Sequence, residues 1–173
     1  NGVYMKNKDD HELLAYMMVN LAPELTQQLL VWSDQEQPCF GTQSHRLKEL
    51  VKLYKERTKT LKELAQEIIA LHSRPSSYNG QDVTKWTDAS TSTYLHELEQ
   101  ILEAMPAFEV HLLSEAVHNF AQKYSLKLVK LAQPIRLALV GKASSPGVFE
   151  LLALIGKRES IERLRIFRQF LKT

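Results

Sequence analysis

The stretch LKLVKLAQPIRLALVGKASSPGVFELLALIGKRES, residues 126–160, decides the fold, because it alternates apolar helical segments with strong breaks. Gly141 interrupts the first amphipathic segment, and residues 144–147, SSPG, form a second break where Pro and Gly favour a turn. Isolated Lys and Arg residues flank the breaks, and Glu150 is the single acid before Glu159. Such a segment can present backbone and guanidinium groups to a flat, anionic partner, and single-stranded nucleic acid fits that description.

The composition predicts a helical globular protein. The chain has 173 residues, 44% of them apolar and 24% charged, which suits one ordinary domain or two small ones with a real core. Leu, Ala, Glu, Lys and Gln are abundant, Gly and Pro number six each, and no run shows the period of two typical of strands. The single cysteine, Cys39, excludes an internal disulfide and a cysteine-built zinc site, and it fits a cytoplasmic location.

The apolar runs and the first residue of the sequence lead to two further expectations, one about membranes and one about the length of the parent protein. No apolar run approaches the ~20 residues that span a bilayer, so we expect no membrane partner. The chain begins with Asn1 rather than Met, which predicts a piece cut from a longer protein.

Charge is distributed unevenly along the chain. Residues 121–173 hold eleven Lys and Arg against three Glu, a balance of +8, so the remainder carries −6 within a total of +2. This asymmetry points to an anionic partner for the C-terminal part, with a solvated basic surface as the alternative.

Helix start and stop signals predict an all-α chain of about nine helices. Asp9 with Asp10 suits a helix cap, Pro23 a first helical turn, and Thr60 with Glu63 a capping box. A break is predicted at residues 37–41, QPCFG.

The same signals divide the chain into two helical subdomains. The strongest linker signal is SRPSSYNG, from residue 73, and loop character extends to about Ala89. The predicted organisation is therefore a subdomain over residues 1–72, a linker over 73–90, and a subdomain over 91–173. In the second subdomain we expect Ser92 to cap one helix and Pro106 to open the next.

A search for catalytic motifs finds no Gly-rich phosphate loop, no HExxH, no CxxC and no G-x-S-x-G elbow. His111, Glu115 and His118 have spacings that place them on one helix face, which permits metal ligation, although a solvated polar face explains them better. Aromatic side chains that could stack on bases are Tyr54, Tyr78, Trp86, Tyr94, Tyr124 and Phe149. Most aromatics at helical spacing belong to a core, and Phe149 is the exception because it follows a Pro-Gly turn.

The C-terminal motifs together resemble the anticodon-binding region of bacterial glutamyl-tRNA synthetases, a class I aminoacyl-tRNA synthetase family. The family pattern is a helix ending in Q-P-x-R-x-A-L-T-G, then a Ser/Thr-Pro-Gly turn, then F-E-x-x-x-x-L-G-K. The matching residues are Gln133, Pro134, Arg136, Leu139, Gly141, Ser145, Pro146, Gly147, Phe149, Glu150, Gly156 and Lys157. Val140 departs from the pattern, since Thr is common there.

The resemblance extends toward the start of the chain. Residues 54–61, YKERTKTL, resemble the family's element before a helix of the preceding subdomain, and residues 1–4, NGVY, resemble the stretch that follows the catalytic domain. The HIGH and KMSKS signatures, which bind ATP and activate glutamate, do not occur in the sequence. The chain is therefore expected to be the tRNA-binding part, inactive by itself, of an enzyme that uses ATP with Mg and glutamate.

The resemblance implies particular contacts with tRNA. The family's two C-terminal domains form an α-helical cage that grips the anticodon loop, the first of them following the catalytic domain and also contacting the stem. Arg57 aligns with the arginine that reads the third anticodon base and separates glutamate tRNA from glutamine tRNA. Arg136 aligns with a second anticodon-contacting arginine, and Ser145, Pro146 and Val148 align with residues at the contacting turn. We expect a monomer whose specificity is shared between Arg57 and the C-terminal segment.

Two other functions remain open at this point. One is a helical protein-interaction module without nucleic-acid specificity. The other is a metal-dependent helical enzyme built on His111, Glu115 and His118.

Overall fold

The architecture is entirely helical in the part of the chain that the structure covers. The structure, a computed structural model, describes residues 2–30 and 43–173, with side chains for 5–29 and 46–173. The all-α prediction is confirmed: these residues form eleven helices and no strand. The break predicted at residues 37–41, with Cys39 in it, lies outside the described residues. The helices fall into two compact units, Asn1–Ser73 and Arg74–Thr173.

The first unit contains five of the described helices. Their bounds are α1 Gly2–Asn7, α2 Asp10–Asn20, α3 Pro23–Leu30, α4 Gln43–Lys55 and α5 Leu61–His72. α4 packs against α2 and α5, and α3 packs against α5. Fully buried apolar side chains line these contacts; they include Leu13, Met17, Leu50, Leu64 and Ile68.

Three helix starts in this unit follow the sequence signals, and α3 begins at Pro23 as predicted. Asp9 is the N-cap of α2, and its side chain accepts a hydrogen bond from the His11 N–H at 2.9 Å. Thr60 and Glu63 form the predicted capping box of α5. In such a box two otherwise unpaired N–H groups of the helix start are satisfied by side-chain oxygens.

The second unit contains six helices. Their bounds are α6 Gly80–Trp86, α7 Thr91–Ala104, α8 Val110–Lys123, α9 Val129–Val140, α10 Val148–Ile155 and α11 Lys157–Phe170. α11 packs against α7 and α9, α10 packs against α8, and α6 packs against α9. The apolar face of α9 is fully buried beneath these neighbours, with Ile135, Leu137 and Leu139 in the core.

Several boundaries differ from the sequence prediction. The two additional helices are α1 and α6, and α6 occupies residues 80–86, where loop character was expected. α7 begins at Thr91 rather than after a Ser92 cap, because a turn at Asp88 precedes it: Asp88 N–H donates to Thr91 Oγ1 at 2.9 Å. α8 begins at Val110, four residues after Pro106.

Proline 134 does not end α9, which continues to Val140. A proline within a helix removes the hydrogen bond to the carbonyl four residues earlier. That carbonyl belongs to Lys130, an exposed residue in the first turn, where water can replace the missing N–H.

A buried ion pair joins α7 to α11. Glu99 is only 3% exposed, and Arg168 donates to it in a two-pronged arrangement, Nε to Oε1 at 2.9 Å and Nη2 to Oε2 at 3.2 Å. Arg165 Nε also lies 3.8 Å from Glu99 Oε2. Paired in this way, the carboxylate and the guanidinium avoid the penalty of burial without a partner.

We expect Glu99→Ala to lower the free energy of unfolding by about 3–5 kcal/mol, because the Arg168 guanidinium loses its buried counter-ion. Urea unfolding at pH 7 measures the change. Glu103→Ala is the matched control, since Glu103 pairs at 3.6 Å with a partly exposed Arg165 and its removal should change stability by about 1 kcal/mol or less. Equal losses in the two variants would contradict the assignment of Glu99 as a core ion-pair residue.

Candidate nucleic-acid interface

The junction between α4 and α5 fixes the backbone around Arg57. The Tyr54 carbonyl accepts hydrogen bonds from the Arg57 N–H at 3.0 Å and from Thr58 Oγ1 at 3.2 Å. Glu63 Oε2 accepts from the Lys59 N–H at 2.8 Å on the other side. The Arg57 side chain itself is exposed and makes no hydrogen bond or ion pair within residues 46–173. The junction therefore presents an exposed guanidinium whose donors have no partner among the described residues.

The turn between α9 and α10, residues 141–147, contains two of the predicted contact residues, Ser145 and Pro146, and a third, Val148, follows it as the first residue of α10. Gly141 ends α9 with φ of 78°, a left-handed conformation that favours glycine, and its N–H donates to the Leu137 carbonyl at 2.8 Å. Ser145 is 8% exposed and Val148 is 3% exposed, and Pro146 is also buried. At these positions the surface of the turn is formed by backbone rather than by the predicted side chains.

Arg136 lies within the same region and supports the turn. Its half-buried side chain donates from Nε to the Pro146 carbonyl at 3.3 Å. Ser145 Oγ donates to the same carbonyl at 3.2 Å. The structure thus brings Arg136, Ser145, Pro146 and Val148 together, whereas Arg57 belongs to the other compact unit.

The first turn of α10 leaves backbone donors available. No side chain caps this helix, and the N–H groups of Val148, Phe149 and Glu150 donate no hydrogen bond among the described residues. The Glu150 carboxylate folds back against Gly147, in the space that a Cβ would fill. A carboxylate there repels a phosphate, so these donors suit a neutral acceptor such as a base oxygen or nitrogen.

Most of the candidate stacking aromatics belong to packed clusters. Tyr94 and Tyr124 pack with Phe120, with ring centroids 6.2 Å and 4.9 Å from that of Phe120. Tyr78 packs on Phe167 at 4.7 Å, and burial raises the pKa of its hydroxyl. Tyr54 is buried in the first unit. Phe149, in contrast, remains half exposed at the start of α10.

The candidate metal ligands do not assemble into a site. His111 is exposed, and its Nδ1 lies 3.5 Å from Glu109 Oε2. His118 Nδ1 lies 2.7 Å from the Ser114 carbonyl, and its ring faces Phe149 at 6.0 Å. Within the described residues, no group of three His, Cys, Asp or Glu side chains could hold a metal ion.

A network that the sequence motifs did not reveal holds the end of α9. Arg163 is 2% exposed and donates from Nη1 to the Leu139 carbonyl at 2.7 Å and from Nε to Glu159 Oε1 at 3.0 Å. Arg74 binds the same carboxylate with two hydrogen bonds of 2.9 and 3.1 Å. Burial alone would raise the pKa of Glu159, but the hydrogen bonds from Arg74 and Arg163 outweigh it and lower that pKa.

Comparisons with known proteins agree with this architecture. The family model described as "Anticodon binding domain" matches residues 20–168. The chain therefore belongs to the anticodon-binding domain family. No helix among the described residues has the length and apolar character to cross a membrane.

Its relatives within that family are glutamate–tRNA ligases, which confirms the resemblance read from the sequence. The chain is 30% identical over 164 residues to glutamate–tRNA ligase 2 of Zymomonas mobilis, covering 95% of this chain and 32% of that protein. It is 34% identical over 167 residues to glutamate–tRNA ligase 1 of Brucella melitensis, covering 95% and 34%.

A solved structure shows the same fold. The glutamate tRNA ligase from Elizabethkingia meningosepticum in complex with its amino acid superposes with a TM-score of 0.79 at 23% identity, over 99% of this chain and 31% of that one. The chain spans about a third of the length of the relatives that it matches.

The lowered pKa of Glu159 predicts a loss of stability in acid. A carboxyl whose folded-state pKa lies below its unfolded value stabilises the fold fully above the ordinary pKa of 4.5, and this contribution is lost as the pH falls through the folded-state pKa. We expect Glu159→Gln to be about 1–2 kcal/mol less stable at pH 7, since Arg163 loses a charged acceptor, and to depend less on pH below that value. Urea unfolding from pH 7 down to acid measures both, with exposed Glu115→Gln as control. A variant as acid-sensitive as the wild type would contradict this prediction.

Proposed function

We propose that this chain is the anticodon-recognition part of a glutamate–tRNA ligase and binds the anticodon loop of glutamate tRNA. The observation that carries the proposal is the start of α10, directly after the turn at residues 141–147, where the N–H groups of Val148, Phe149 and Glu150 have no hydrogen-bond partner among the described residues. Membership of the anticodon-binding domain family supports the same conclusion. Anticodon bases are unstacked, so that donors of this kind can reach their edges.

Arg57 is the proposed reader of the third anticodon base. Its exposure and its lack of a partner among the described residues leave the guanidinium free to donate in a fork to a base edge. The hydrogen bonds at Tyr54 and Glu63 support this role, because a fixed backbone reduces the entropy lost when the side chain binds.

The turn is proposed to read bases through its backbone. Ser145, Pro146 and Val148 have buried side chains. They would therefore contribute by holding the backbone of the turn in place rather than by touching the bases themselves. Arg136 supports that path through the Pro146 carbonyl, and its half-exposed side chain can also face the RNA.

Exposed lysines at the start of α9 are proposed to bind phosphates. Lys127 and Lys130 are exposed and make no ion pair among the described residues. Contacts of this kind raise affinity without specifying sequence, and they weaken as salt rises.

The activity of the whole ligase is proposed by extension from the relatives. It would join glutamate to its tRNA with ATP and Mg in the cytoplasm, and this chain, a monomer, would supply recognition without catalysis. ATP-dependent activation of glutamate by the purified chain would contradict that division of roles.

Binding of anticodon stem-loops tests the proposal directly. Fluorescence titrations use the stem-loop of glutamate tRNA and versions that differ only in the third anticodon base, across a salt series. We expect preference for the glutamate sequence at each salt concentration, with affinity falling as salt rises. Absence of binding even at low salt would overturn the proposal and favour the protein-interaction module.

We expect Arg57→Gln to reduce the discrimination between stem-loops that differ in the third anticodon base by about 1–3 kcal/mol, the value of one good two-pronged contact in DNA readout. Lys62→Gln is the matched control, because Lys62 is exposed, unpaired within residues 46–173 and on the neighbouring helix. The control should weaken binding of all stem-loops alike. Discrimination unchanged in Arg57→Gln would contradict the assignment.

A further inference from the structure

The α9–α10 turn is held from outside by residues 75–82, which we call the buttress segment. The Asn79 N–H donates to the Gly141 carbonyl at 2.8 Å. The Ala143 N–H donates to Asp82 Oδ2 at 2.9 Å. The first half of the turn thus has both a donor and an acceptor on the buttress segment.

The buttress segment also approaches Gly141 too closely for any other residue. A Cβ built on Gly141 would lie 2.6 Å from the Ser77 carbonyl oxygen and 3.3 Å from Pro75 Cβ. The φ of 78° at Gly141 disfavours a side chain independently. Backbone packs on backbone here, so the position of one segment determines that of the other.

Asp82 is well placed to transmit this support. It lies in the first turn of α6, and its N–H donates to the Asn79 side chain at 3.0 Å. α6 packs against α9, and the Asp82 side chain is half buried. A hydrogen bond from an N–H to an ionised carboxylate is roughly twice as strong as a neutral one.

The second half of the turn depends on a different partner. Pro146 accepts hydrogen bonds from Arg136 and Ser145, both outside the buttress segment. Between these two supports, Ser144 is exposed. The Asp82 contact is therefore a side-chain hydrogen bond that anchors the turn before this exposed residue.

We infer that Asp82 is a positioning residue for anticodon recognition, acting through the Ala143 N–H to set the path of residues 141–147. The inference rests on the proposed function, because it assumes that this turn meets the anticodon bases. Asp82 itself need not touch the RNA. Residues of the predicted linker, 73–90, would then contribute to anticodon specificity in the second unit.

The test compares Asp82→Ala and Asp82→Asn in the full chain. The measured quantity is the dissociation constant for a stem-loop with a substituted anticodon base divided by that for the stem-loop with the natural anticodon of glutamate tRNA. We expect Asp82→Ala to reduce this ratio by about tenfold, the equivalent of one charged hydrogen bond. Asp82→Asn keeps an acceptor oxygen at the same place and should retain the ratio to within about threefold.

The ratio separates positioning from simple loss of stability. A smaller folded fraction weakens binding of every stem-loop alike and leaves the ratio unchanged. Glu115→Ala is the charge-matched control, since Glu115 is exposed and unpaired in the part of the chain that the structure covers. Its ratio should equal that of the wild type.

A second variant, Asp82→Glu, tests the positioning role if Asp82→Ala does not fold. Asp82→Glu retains an acid in the first turn of α6 but moves the carboxylate by one methylene, so it should also lose discrimination. Amide hydrogen exchange should show the Ala143 N–H exchanging faster in this variant than in the wild type.

The outcomes distinguish this inference from the proposed function. A wild-type chain that does not discriminate among stem-loops overturns both. A discriminating wild type whose ratio survives in Asp82→Ala, or in Asp82→Glu where the former is unfolded, overturns the positioning role alone.

Discussion

The buried guanidinium of Arg163 is the constraint on which the second unit depends. An arginine that is 2% exposed must have all its charge and donors compensated, since an unpaired buried ion is expensive. Glu159 neutralises it, and the Leu139 carbonyl, one of the last four of α9 and so without a helical partner, accepts from it. Glu159 also binds Arg74, the residue that precedes the buttress segment. One side chain therefore ties α11 to the end of α9 and, through its counter-ion, to the chain entering the unit.

This arrangement divides the cations of the unit into two groups with different roles. Arg163, Arg165 and Arg168 all pair with acids, and some of these acids, such as Glu99 on α7, lie far upstream in the sequence. The charge of +8 counted over residues 121–173 therefore overstates what a nucleic acid would meet. The cations that remain available, such as Lys127 and Lys130, lie at the start of α9. The paired arginines stabilise the helical unit, and the exposed lysines are the cations proposed to attract phosphates.

The sequence predicted the helix starts and ends that are determined by residues close together in the chain. The Thr60 capping box and the Gly141 stop are confirmed, because each depends on residues within a few positions of one another. The helix at residues 80–86 and the burial of Ser145 and Val148 were not predicted. These features depend on packing against α9 and other distant elements, which no single-sequence pattern reports. The contacts of Arg163 with the end of α9 are of the same kind, since the Leu139 carbonyl lies 24 residues away in the sequence.

A turn that reads bases through its backbone couples stability to specificity. A side chain can be moved by a rotamer change that leaves the fold intact, whereas a backbone N–H moves only when the chain around it moves. Every contact that fixes residues 141–147 then also fixes the geometry of recognition, including the Arg136 bond to Pro146 and the close approach of Ser77 to Gly141. Arg57 differs from the turn, since its donors belong to a long side chain and only the backbone beneath it is held by hydrogen bonds. In the proposed function the two modes therefore respond differently to mutation: specificity assigned to Arg57 would depend on one side chain, whereas specificity assigned to the turn would depend on the packing of the whole unit.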